Sequence, residues 1–457
     1  MLKKQLSILL FFVLCLTAPF TILAAPLDEA KQIVKEHYVG KVNGNLDHAT
    51  SVQALMDMLD PYSTYFTEEE FEAFINSVEL TSVGIGIVIE KIDQGVKISE
   101  LIDGGSAKSA GLKVGDIITA VDGTSIAALT IDQASSRIKG KENTAVTVTI
   151  LREDGSILTK SLTRKAFSLP NSTTQLLYGN VGYISLASFS NDTASLMSKA
   201  IQQLKKQGAT SYILDLQNNG GGYVTAAEQL IGMFPNAVNA YKLKENAGIS
   251  TIRSLKQATT FPTNTKVLIN KSSASSSEMT AAALLDQNAA KLYGQTTYGK
   301  GSMQAFFELE DGSFLKLTVG HFYGPNNTQI NEIGVKPNIP TVTNPLFKAH
   351  YDAIASNLTK YKELTSLKNV ALNKTFTINF SKQLASSIDP SSVQLVELGG
   401  HTVAATIKQT GQKLSVTPNS SLIAGKEYML IVQPNVKNSS GKTLKQGAYL
   451  HITTATK

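Results

Sequence analysis

Val267-Leu268-Ile269, then Lys271-Ser272-Ser273-Ala274-Ser275-Ser276-Ser277-Glu278, then Thr297-Tyr298-Gly299-Lys300-Gly301-Ser302-Met303-Gln304: the rest of the chain is read outward from this stretch, residues 265–304. The apolar triplet between polar residues predicts a short buried strand. The Ala/Leu-rich run from Met279 predicts a helix. Between them lies a turn of small hydroxyl residues. Such a turn suits a nucleophile, because the first N–H groups of the helix are unpaired and partly positive. Ser275-x-x-Glu278 is also a capping-box pattern, so Ser275 has a purely structural reading as a helix cap. Lys300 stands between two glycines, which let backbone approach closely and crowd a lysine.

A third stretch, Tyr212-Ile213-Leu214-Asp215-Leu216-Gln217-Asn218-Asn219-Gly220-Gly221-Gly222, predicts a strand entering a glycine turn, with a helix from Val224. Asp215 at the strand end is read as fixing that turn rather than as an acid.

Together the three stretches resemble the carboxy-terminal processing peptidases, or tail-specific serine proteases. The matching motifs are Asp215 to Gly222, Ser273 to Glu278 and Thr297 to Gln304. Gln217 and Gly220 replace the family's usual Arg and Pro. The resemblance implies a Ser–Lys pair, Ser275 and Lys300, supported by Gln304. It also implies proteolysis of protein substrates chosen through their C-terminal tails. The N–H groups of Ser276 and Gly221 are the candidate oxyanion donors, each typically worth about 3 kcal/mol in the transition state. A serine hydroxyl needs a base to accept its proton. A lysine serves only if its ordinary pKa of about 10.4 is lowered, which burial does by disfavouring the ammonium.

The chain has 457 residues, 42% of them hydrophobic, enough for several cores. Residues 1–25 read as a signal peptide. Lys3 and Lys4 precede the apolar run Ile8 to Leu16, and cleavage is expected near Ala24 or Ala25. Localisation is therefore expected to be secreted, extracellular or cell-envelope associated. The single cysteine, Cys15, falls in that segment, so the mature chain has no thiol and no disulfide. That excludes a cysteine protease. No His-Glu-x-x-His or clustered His/Asp set appears, so neither metal nor cofactor is expected. His321 lies in a strand-like run of the core and is read as structural rather than as part of a Ser–His–Asp triad. The formal charge of +6 suits an anionic cell wall or membrane surface, and attachment there is one partner expectation. The basic residues read as dispersed, without stacking aromatics, which argues against nucleic acid.

The predicted organisation is a multidomain α/β and β chain. A helical N-terminal region covers residues 26–80, and the family resemblance suggests a homodimer through it. The Asp60-Pro61-Tyr62-Ser63 turn there belongs to the same resemblance. Residues 81–156 look like a PDZ domain, from Ser106 to Ile118 and Val121-Asp122-Gly123. Such domains take up a peptide tail as an added strand. By motif position Ile85, Gly86 and Ile87 would hold the terminal carboxylate. Lys139, in Ile138-Lys139-Gly140-Lys141, stands where the family often has a regulatory Arg. An α/β serine-protease core spans residues 157–345, and 346–367 is expected to be a helical connector. Residues 368–457 show strand runs separated by turns, resembling a bacterial Ig-like β-sandwich. This last domain carries no catalytic signal and is expected to be removable. The alternative function is a catalytically silent cell-surface protein that binds peptides through its PDZ and Ig-like modules.

Overall fold

The computed structural model describes residues 26–129 and 131–456. The expected signal segment, with Cys15, lies outside them. The described residues form two compact units. One runs up to Phe71 and takes in Gln304–Val319, and the other comprises Glu72–Met303 and the chain from Gly320.

In the first unit, α1 (Pro26–His37) and α2 (Val52–Met56) lead to β1 (Thr64–Phe66) and the first turn of α3 (Glu68–Val78). Ser51 starts α2 by accepting the Ala54 N–H at 3.1 Å. Ala30 and Val34 of α1 pack with Leu55 and Met56 of α2 and with Leu315 and Leu317. In the Asp60 turn the carboxylate accepts the Tyr62 N–H and the Ser63 hydroxyl. β1 runs antiparallel to the chain at Lys316, which faces Thr64.

The second unit holds three structures in series. β2 (Thr81–Gly84) leads into a sheet of β3 (Ile87–Ile92), β4 (Gly95–Leu101), β5 (Ile117–Val121), β6 (Thr124–Ser125), β7 (Ala145–Leu151) and β8 (Ile157–Thr163). Their order is β3-β4-β5-β7-β8, with β6 on β5. β7 shows why these residues form a strand: Val146, Val148 and Ile150 are buried and their neighbours are not, the period of two expected of a half-buried strand. With α4 (Ser106–Ser109) and α5 (Ile131–Ile138) the sheet encloses Val96, Ile98, Ile118 and Val148. The sheet continues to Thr163, past the boundary expected at residue 156, because polar β8 still presents Leu162 to the core. β9 (Lys165–Ser168) then pairs antiparallel with β2, Gly84 opposite Lys165. The chain thus enters and leaves this domain through one two-stranded ribbon.

Next come β10 (Ser172–Leu177), β11 (Val181–Leu186), α6 (Thr193–Lys206), β12 (Ser211–Asp215), α7 (Val224–Ile231), β13 (Asn239–Glu245), β14 (Gly248–Arg253), β15 (Lys266–Ile269), α8 (Ser276–Asp286), β16 (Lys291–Gly294), β17 (Ser302–Glu308) and β18 (Phe314–Tyr323), of which residues Gln304–Val319 belong to the first unit, then β19 (Ile339–Pro340) and α9 (Pro345–Asn357). The central sheet is ordered β10-β11-β12-β15-β16-β19 and is parallel from β11 onward. Alternate residues serve opposite faces. Leu214, Val267 and Leu292 pack with α6, α7 and α8, whereas Ile213, Leu268 and Tyr293 pack with Ala349 and Ala353 of α9. This is an α/β/α sandwich, and its parallel strands bring the turns after Asp215, Ile269 and Gly294 to one end, where such folds place their sites.

Beyond α9 the chain is all β: β20 (Lys362–Glu363), β21 (Leu367–Val370), β22 (Phe376–Asn379), β23 (Val393–Glu397), β24 (Thr402–Val403), β25 (Ala405–Thr410), β26 (Lys413–Pro418), β27 (Glu427–Val432) and β28 (Ala448–Thr454). A six-stranded sheet, β20-β28-β27-β23-β24 with β21 on β28, covers a three-stranded one, β22-β26-β25. Leu395, Leu430 and Ile452 meet Phe376, Leu414 and Val416 between them. The other face of the larger sheet packs Val396, Met429, Ile431 and Tyr449 onto Phe347 and Ile354 of α9. The stretch 346–367, expected as a connector, therefore contains a helix with two buried sides. This apolar contact bears on the expectation that the sandwich is removable, because deleting it would expose the second apolar side of α9.

Candidate active site

Ser275 sits between β15 and α8 with φ 54° and ψ −114°. A left-handed φ is strained for a residue with a Cβ and needs surrounding structure to hold it. Two turns supply that hold. The glycine turn after β12 is tied to the serine turn at several points. Asn218 and Asn270 exchange two hydrogen bonds at 3.0 and 2.9 Å, and the Ser273 hydroxyl donates to the Leu216 carbonyl at 2.8 Å. Asn219 O accepts from the Ala274 N–H and the Ser277 hydroxyl, and Gly222 O from the Ser276 hydroxyl. Gly221 lies directly against the nucleophile: a Cβ there would stand 2.8 Å from Ser275 Cβ, and its φ is +107°. Only glycine fits on both counts.

The Lys300 turn is fastened by Glu278, which is fully buried. Its carboxylate accepts the Ser275 N–H at 3.0 Å, the Lys300 N–H at 2.8 Å, the Gly299 N–H at 2.6 Å and the Thr297 hydroxyl at 2.5 Å. The Ser275 and Lys300 bonds end on the same oxygen, Oε2. Two nitrogens bonded to one acceptor stand less than about 6 Å apart, so the two turns are adjacent. Residues 330–335 close the other side. Glu332 N–H donates to Gly299 O at 2.8 Å, and a Cβ on Gly301 would stand 2.6 Å from Asn331 N. The glycines around Lys300 thus permit the close approach expected of them. Ser275 and Lys300 are each partly exposed amid buried neighbours.

Ser276 opens α8, so its N–H lacks a helical acceptor. The other oxyanion candidate differs: Gly221 N–H already donates to Asn219 Oδ1 at 2.9 Å. Gln304 stands on β17 in the other compact unit, its amide donating to Thr318 Oγ1 at 3.1 Å. Asp215 accepts from the Tyr183 hydroxyl at 2.8 Å and the Gln217 N–H at 2.8 Å, and burial pushes its carboxyl up to about 6. It braces the glycine turn. His321 faces Lys244 across the β13–β18 pair, and among the described residues no hydrogen bond links it to Ser275.

In the second unit's first sheet, β3 is an edge strand with α5 packed beside it. Ile85 is buried, and its carbonyl accepts the Ala107 N–H. Gly86, at φ +76°, packs on Gly105 so closely that a Cβ would stand 2.5 Å from its Cα. Its carbonyl accepts the Ile102 N–H, and Ile87 begins the edge strand. Lys139 is exposed just past α5. Sequence reading missed its neighbour Arg164, whose guanidinium caps that helix end by donating to the Ile138 and Arg137 carbonyls, both at 3.0 Å. It also missed three of the four partners of Glu278. Only the capping-box spacing gave a hint of that residue.

A model of peptidase family S41 matches residues 180–341, a PDZ-domain model residues 74–151 and a bacterial Ig-like domain model residues 358–454. A probable CtpA-like serine protease of Staphylococcus aureus (strain MRSA252) is 31% identical over 401 residues, 86% of this chain and 77% of that one. The carboxy-terminal processing protease CtpA of Bacillus subtilis (strain 168) is 31% identical over 315 residues, 68% of each chain. Among solved structures, the photosystem II D1 C-terminal processing protease aligns with 72% of this chain and 96% of its own, at 25% identity and a TM-score of 0.43. The chain is a serine-type peptidase. It belongs to the carboxy-terminal processing proteases of peptidase family S41, and its PDZ domain marks it as a binder of peptide substrates.

Proposed function

We propose that this chain is an exported endopeptidase that works through a Ser275–Lys300 dyad on proteins whose C-terminal tails its PDZ domain has captured. The supporting observation is the single Glu278 oxygen that holds the backbone of both residues. In this reading Ser275 Oγ bonds to the substrate carbonyl carbon while its proton passes to neutral Lys300 Nζ. The ammonium then protonates the leaving amine as the C–N bond breaks. Water, deprotonated by the same amine, cleaves the acyl ester and restores Ser275. Ser276 N–H faces the oxyanion, whereas Gly221 N–H serves only after leaving Asn219 Oδ1. Export rests on residues 1–25. Tail capture rests on the free edge of β3, which offers a pairing strand.

The test compares cleavage of one unfolded substrate with a free apolar C-terminus and with that terminus amidated, at concentrations far below saturation. Faster cleavage of the free form is expected. Equal rates would refute selection through the tail.

A further inference from the structure

The positive charge of the chain is concentrated in one domain. Residues 358–454 contain eleven lysines, no arginine and four carboxylates, a formal +7, whereas residues 26–357 hold 28 basic and 32 acidic residues, a formal −4. The basic residues that read as dispersed are segregated by domain.

Inside that domain the carboxylates are engaged, mostly on the side facing α9. Glu363 accepts the Tyr351 hydroxyl at 2.5 Å, Glu427 accepts the Thr343 hydroxyl at 3.0 Å and pairs with His451, and Glu397 pairs with Lys426. Asp389 accepts the Ser391 N–H in a local turn. The lysines away from α9 are different. Lys382, Lys408, Lys413, Lys437 and Lys442 are exposed, and among the described residues none of them forms an ion pair.

The layers run α9, six-stranded sheet, three-stranded sheet, so the outer face of β22-β26-β25 points away from the catalytic core. Strand alternation puts Lys408 and Thr410 of β25 on that face, opposite Ser415 and Lys413 of β26, with Thr377 of β22 beyond. It carries no carboxylate. At one end, backbone bonds gather three turns: Phe380 N–H to Gln412 O, Ala385 N–H to Lys437 O, and Ser439 N–H to Gln383 O. These bring Lys382, Lys437 and Lys442 to the end of the sheet that bears Lys413.

We propose that this face docks the protein on a linear phosphodiester polymer of the cell envelope. Lysine ammonium groups are compact point charges suited to phosphates, and the hydroxyls between them add donors. The face offers no aromatic platform for nucleobases and no large apolar side chain to enter a bilayer. Docking there leaves the three site turns of the core uncovered.

The experiment uses residues 26–457 and immobilised poly(glycerol phosphate), a linear phosphodiester polymer. A variant with Lys382, Lys408, Lys413 and Lys437 all changed to Gln is compared with one in which the exposed core lysines Lys199, Lys205, Lys206 and Lys256 are changed to Gln. Net charge falls equally in both. The first variant is expected to bind at least about tenfold more weakly than the unmodified protein and to show a shallower salt dependence. The second should stay within about threefold, and both should cleave a soluble substrate at the unmodified rate. Equal weakening of the two variants would overturn the proposal. So would tighter binding to vesicles containing phosphatidylglycerol than to poly(glycerol phosphate).

Discussion

The PDZ domain closes its own core, since every residue of that cluster lies between Ile85 and Leu162, and the β2–β9 ribbon joins it to the rest. The Ig-like domain instead shares a cluster with the catalytic core, in which Phe347 and Ile354 of α9 are buried under Met429, Ile431 and Tyr449. Hydrogen bonds seal the contact: Tyr178 N–H donates to Gly400 O at 2.9 Å and the Tyr178 hydroxyl to Gln394 at 2.5 Å. Two modules that look equally modular in sequence are therefore attached in different ways. One is tethered and the other is part of the support beneath β11, β12, β15 and β16, the strands packed on α9.

Removing each module is the harshest test of that contrast. A chain ending at Leu358 should lose soluble, cooperatively folding protein, because α9 would expose its second apolar side. Excising residues 85–163 and joining β2 to β9 by a tight turn should leave a core melting within about 5 °C of the parent, since few contacts outside the ribbon are lost. Calorimetry decides, and the reverse pattern would invert the comparison. Point changes sharpen it. Phe347→Ala should cost about 3–5 kcal/mol and lower the main transition, whereas Ile98→Ala should weaken the PDZ domain and leave the core transition in place.

A smaller effect is set by pH. His350 is buried between core and sandwich, donating from Nε2 to Tyr178 O and accepting the Gly399 N–H on Nδ1, both at 2.8 Å. Burial lowers its pKa from 6.5 to about 4. In that window the unfolded chain binds a proton that the folded chain does not, so stability rises with pH. The contribution is complete above pH 6.5 and is lost as pH falls to about 4, at most about 3 kcal/mol. His350→Gln should flatten this part of the melting-temperature profile. An unchanged slope would remove His350 from the interface account.

The three turns were legible because their chemistry is local: a small hydroxyl run before a helix, glycines flanking a lysine, a strand running into glycines. Glu278 was legible only as a cap for Ser275. Its bonds to Thr297, Gly299 and Lys300 arise because β15 and β16 are parallel neighbours, and spacing along the chain does not encode that. Gly221 shows the same limit, since its place beside Ser275 followed from the motif while the Asn219 side chain that holds its N–H did not. α9 was read as a connector, although its residues are apolar around much of the helix. Such a helix is buried on more than one side, and Ala349 and Ala353 face the sheet while Phe347 and Ile354 face the sandwich.

The pairing of Ser275 with Lys300 is tested most directly by the rate at which a fluorophosphonate labels the serine, followed by mass spectrometry of the Ser275 peptide. The wild-type protein should be labelled there, and Lys300→Ala, with an unchanged melting temperature, should be labelled at least about a hundredfold more slowly, because the hydroxyl has lost its base. Labelling of the Lys300→Ala protein at the wild-type rate, or labelling of wild type at another residue, would contradict the dyad.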